Sequence, residues 1–90
     1  MVSPQHSYNG ALLRACEAHL VRVKAAHDAL LLAISSAKSF GEHDSRRLNT
    51  YVEANEKCEK AIRDSDAQRA KDNATALEML RATEVTASRS

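Results

Sequence analysis

Apolar residues recur along the first half of the chain at the step of a helix. Leu13, Cys16, Leu20, Val23, His27, Leu30, Ile34 and Ala37 follow one another by alternating steps of three and four. This heptad spacing keeps one seam of an α-helix turned toward a partner helix. A second stripe lies beside it: Ala11, Ala18, Val21, Ala25 and Leu32. At 100° of rotation per residue, the two stripes together cover half the helix or more. The pattern predicts a first helix over 9–39, with 1–8 as a flexible lead-in. Ser3-Pro4 offers an earlier start, as N-cap and first helical residue. Phe40-Gly41 closes the helix, with Gly41 expected in the left-handed conformation common at helix ends.

The link, 40–45, is short and polar, and Asp44 or Ser45 can accept the first free amides of a second helix. So short a link makes the two helices antiparallel neighbours. The second helix is expected over 46–82, followed by a disordered tail over 83–90. Leu48, Tyr51, Val52, Cys58 and Ile62 supply its first apolar positions, and Leu77, Met79 and Leu80 its last. Between them, 64–75 is polar apart from a thin line of Ala67, Ala70 and Ala74.

Folding the chain back at the link pairs residues whose numbers add to about 85, since both helices rise equally per residue. Ile34 then faces Tyr51, Val23 faces Ile62, and His27 faces Cys58. The expected hairpin core is therefore Leu13, Cys16, Leu20, Val23, His27, Leu30 and Ile34 against Leu48, Tyr51, Val52, Cys58, Ile62, Leu77 and Leu80. Leu12, Leu13 and Leu20 meet only the polar stretch and its alanines. Burying a leucine stabilises by about 1.5–3 kcal/mol, while ordering each residue costs about 1–2 kcal/mol of backbone entropy. A bare hairpin is marginal on these terms. The fold expected is all-α: an antiparallel two-helix hairpin that dimerises into a four-helix bundle or coiled coil.

Composition sharpens this picture. Apolar residues make up 43% of the 90, but 16 of them are alanine, so large side chains able to fill a core are scarce. Two glycines and one proline leave little punctuation for a many-stranded fold. A net charge of +1, with acids and bases interleaved, argues against binding a polyanion by bulk charge. Two cysteines do not make a disulfide framework. In the folded-back hairpin Cys16 and Cys58 stand about eleven residues, or roughly 16 Å, apart in level, too far to bridge within one chain. The N-terminus lacks the charged start and apolar run of a signal peptide. No apolar stretch approaches a membrane span. The location expected is the cytoplasm, or the host-cell cytoplasm if the protein is viral.

Candidate chemistry is sparse. Arg14 precedes His19, and Arg22 precedes His27, by the same five positions. This repeated Arg-x4-His resembles the catalytic signature of HEPN-type ribonucleases, helical proteins whose Arg and His meet across a dimer interface. The resemblance implies a histidine acting as general acid or base and an arginine stabilising charge on phosphorus. The residue after each Arg is Ala15 or Val23 here, where that family carries a polar one, and the chain is shorter. His27 opposite Cys58 offers two ligand types for zinc in a dimer, without C-x2-C or H-x3-H spacing. Metal binding there stays open, and no metal or other cofactor is expected. Arg46, Arg47, Lys57, Lys60, Arg63 and Arg69 are similar in kind to the basic residues of helical-hairpin RNA regulators. Glu53, Glu56, Glu59, Asp64 and Asp66 interrupt them, and no aromatics interleave for base stacking.

The length and two-helix plan are similar to those of small secretion chaperones, WXG-type secreted proteins and phage accessory factors, although no W-x-G stands in the turn. The function expected is a non-enzymatic protein-interaction module: a small regulator, inhibitor or chaperone. It would act through the stripe Ala11, Ala18, Val21, Ala25 and Leu32. Its partner is expected to be itself, as a homodimer, or an unidentified protein, and neither nucleic acid nor membrane. The alternatives are the dimeric ribonuclease and the RNA-binding regulator.

Overall fold

The computed structural model describes residues 3–89. Two helices, α1 (Pro4–Ala37) and α2 (Ser45–Arg89), form an all-α antiparallel hairpin. The start of α1 is the earlier of the two the sequence offers. Ser3 caps it: its hydroxyl accepts the His6 amide at 3.1 Å, and its carbonyl accepts the Ser7 amide at 3.1 Å. Pro4 stands at the first helical position, where its missing N–H costs nothing. Residues 4–8, expected as lead-in, are thus helical; Met1 and Val2 lie outside the described residues. At the far end α2 continues through 83–89, where a disordered tail was expected. Thr83 and Thr86 donate to the carbonyls of Met79 and Ala82. Ser90 lies outside the described residues.

The end of α1 corrects the expectation for Gly41. No glycine among the described residues has positive φ. The helix winds down instead through two tighter turns, with the Ser39 amide on the Ser36 carbonyl at 3.2 Å and the Phe40 amide on the Ala37 carbonyl at 3.0 Å. Such i→i+3 bonds satisfy carbonyls that the helix end would otherwise leave open. Asp44 then caps α2, its Oδ1 accepting the Arg46 amide at 2.9 Å.

The hairpin seam is made of small residues. Among the described residues, Ala15, Ala26 and Ala37 are the buried positions of α1, and Cys58, Ser65 and Ala76 those of α2. Ala37 is fully buried, and among the described residues no large side chain is. The three alanines stand eleven residues apart, as do Ser65 and Ala76. Eleven residues in three turns is 3.67 per turn, close to the natural helix, so straight helices keep these positions inward. The heptad seam read from the sequence repeats every 3.5 residues and drifts about 20° per heptad on such a helix. Of its members Val23, Leu30 and Ile34 are half-buried and Ala37 is buried. Toward the N-terminus it rotates out: His27, Leu20, Cys16 and Leu13 are exposed. On α2, Tyr51, Ile62, Leu77 and Leu80 are half-buried and Cys58 buried, whereas Leu48 and Val52 are exposed. The expected core is therefore corrected at Leu13, Cys16, Leu20, His27, Leu48 and Val52.

Candidate interaction surfaces

The hairpin consists of two compact units. The link unit is Val21–Ser65; the terminal unit joins the α1 residues up to Leu20 to the α2 residues from Asp66 onward.

In the link unit, Arg22 crosses to α2. Its Nε donates to the Ser65 hydroxyl at 2.8 Å and its Nη2 to the Ser65 carbonyl at 3.3 Å. The pair sits two residues beyond the fold-back anticipated from the sequence. Cys58 accordingly lies with Ala26, Ala29 and Leu30 along a groove of about 430 Å³. Ala33, Ala54 and Ala61 continue that groove, and Glu53 and Lys57 stand at its edge. His27 is exposed and does not line it.

The side of the link unit away from this groove mixes apolar residues, some exposed and some half-buried, with charged ones, Glu59 standing between Val52 and Ile62 on α2. Rotation of 100° per residue places Val23, His27, Leu31 and Ile34 of α1 there, with Leu48, Val52 and Ile62 of α2. Leu31 is 62% exposed, Leu48 64% and Val52 48%. Leu31 was not among the candidates read from the sequence. It sits one position past the heptad residue Leu30, and only the drift of the heptad on a straight helix reveals it.

The corner of the link unit is held by two arginines. Arg46 grips both carboxylate oxygens of Asp44, its Nη2 at 2.7 Å from Oδ2, and its guanidinium lies 4.7 Å from the centre of the Phe40 ring. Those side-chain bonds, with the capped backbone amide, hold the Asp44 carboxyl below its ordinary pKa. Arg47 donates to the Tyr51 hydroxyl at 2.9 Å, which raises the guanidinium's pKa further. Along the helices Lys24 pairs with Asp28 at 2.7 Å and Lys60 with Asp64 at 2.8 Å. Asp28 raises the Lys24 pKa through the hydrogen bond first and the opposite charge second. Arg46, Lys60 and Arg69 of the basic series thus each neighbour their own carboxylate.

In the terminal unit the stripe assigned to partner binding divides. Ala11 and Ala18 lie against α2, lining a groove with Asp72, Thr75, Ala76 and Met79. Val21, Ala25 and Leu32, which belong to the link unit, are exposed. Leu13 and Leu20, at 59% and 60%, are exposed in the terminal unit, as are Met79 and Val85, and Cys16 is exposed between the two leucines. Leu12 and Cys16 border a recess with Asp66, Arg69, Ala70 and Asn73. Asn73 Oδ1 is buried there without a hydrogen-bond partner in the protein.

Of the Arg-x4-His pairs, Arg22 is bound to Ser65, Arg14 is exposed, His19 is half-buried and His27 exposed. Among the described residues no three His, Cys, Asp or Glu side chains converge as a metal site would require. Nor is any described helix long and apolar enough to cross a membrane. No family model matches the chain, and no characterised protein or solved structure matches it either.

Proposed function

We propose that the chain is a non-enzymatic protein-interaction module whose contact surface is its large apolar residues rather than its small ones. The observation that carries this reading is an inversion of the usual order. The residues that close the hairpin are Ala15, Ala26, Ala37, Cys58, Ser65 and Ala76, while Leu13, Leu20, Leu31, Leu48 and Val52 face water. A folded chain with few large apolar residues ordinarily puts them inside. Val21, Leu32, Met79 and Val85 are exposed as well; leaving so many out is costly unless another surface covers them, and clustered exposed apolar residues mark interaction sites. The stripe Ala11, Ala18, Val21, Ala25 and Leu32 loses its first two members to the hairpin, so the docking role moves to the leucine side.

Of the two arginines in the ribonuclease-like pairs, Arg22 is engaged with Ser65, whereas Arg14 is exposed. An RNA-binding face needs basic residues without adjacent acids, and Arg46, Lys60 and Arg69 each have one. Neither alternative gains an observation of its own. Affinity capture with the wild-type chain and with the Leu20→Lys, Leu31→Lys double variant tests the module. Retention of a protein, tagged or untagged, by the wild type and its loss by the variant is the expected outcome. Equal retention by both chains, or none by either, removes the reading.

A further inference from the structure

We draw no further inference here: the strongest candidate, the partly apolar side of the link unit that exposes Leu31, Leu48 and Val52 beside Glu59, carries none because nothing in the structure shows what covers it.

Discussion

Arg22 reaches across the hairpin and holds Ser65 by both its hydroxyl, at 2.8 Å, and its carbonyl, at 3.3 Å. Ser65 is 3% exposed, the one polar residue among the buried positions of the described chain. Alanine seams are forgiving of slippage, since one small residue fits about as well as the next. A charged fork tied to a single serine is not, because sliding α2 by one turn would leave a half-buried guanidinium without its acceptors. Ser65→Ala removes the hydroxyl and keeps the carbonyl. It is expected to cost about 1 kcal/mol, the net worth of one such bond. Urea denaturation of the variant measures it, and an unchanged midpoint shows that the pair does not fix the register.

The inverted seam makes opposite forecasts for two kinds of substitution. Ala26→Leu or Ala37→Leu adds bulk where the helices approach most closely. Overpacking of this kind destabilises by about 1–3 kcal/mol. Leu13→Ala removes a larger side chain but from a 59% exposed site, and is expected to change stability by less than about 0.5 kcal/mol. The heptad core read from the sequence forecasts the reverse order for Ala26→Leu and Leu13→Ala, with Leu13→Ala the damaging change; Ala37 faces inward on either reading. Thermal melts of the three variants at one concentration decide between them.

Much of the architecture was legible in the chain. The polar link, the Asp44 cap and the antiparallel hairpin follow from residue types whose local physics acts alone. Which face of α1 turns inward was not legible. Large residues at heptad spacing and small residues at eleven-residue spacing both satisfy helical periodicity, and the choice depends on how closely two backbones approach. Leu13 and Ala15 are two positions and about 160° apart, so the wrong repeat points α1 nearly the wrong way at that end. The Arg22–Ser65 pair was hidden for a related reason. Ser65 stands in a run that reads as solvated, Asp64 to Thr75, and nothing local to it announces a partner 43 residues away.

Gly41 supplies a prediction in which sequence and structure disagree on sign. As a left-handed helix cap, it would lose stability on gaining a Cβ. Its φ is not positive, and a Cβ built there meets nothing within 4 Å. Gly41→Ala is therefore expected to stabilise by about 0.4–1 kcal/mol, by narrowing the conformations of the unfolded chain. A fall in the melting temperature would restore the cap.

Asn73 gives a second stabilising change. Its Oδ1 is buried with no partner in the protein, and an unmade hydrogen bond costs its desolvation. Alanine removes that atom and is also the better helix former, by about 0.5 kcal/mol. Asn73→Ala should raise the urea midpoint. A clear loss of stability would show that the amide is bound to something, such as an ordered water.

The link corner should make the hairpin sensitive to acid. Asp44 is held below its ordinary pKa by the Arg46 guanidinium and by the amide it caps. A carboxyl whose pKa is lower in the folded than in the unfolded state binds its proton more readily once unfolded. Its contribution is complete above the unfolded value, near 3.9, and is lost as the pH falls from there through the lower folded value. Asp44→Asn keeps an oxygen to accept the Arg46 amide and remains a good N-cap, but has no proton to take up. Melting temperatures of the two chains from pH 7 to pH 2 are expected to differ most at neutral pH, in favour of the wild type, and to converge as the pH falls through the lowered folded value. Because the other carboxylates titrate in both chains, the difference isolates Asp44. Parallel curves across that range would mean that the charge of Asp44 does not contribute and that the cap acts through its oxygen alone.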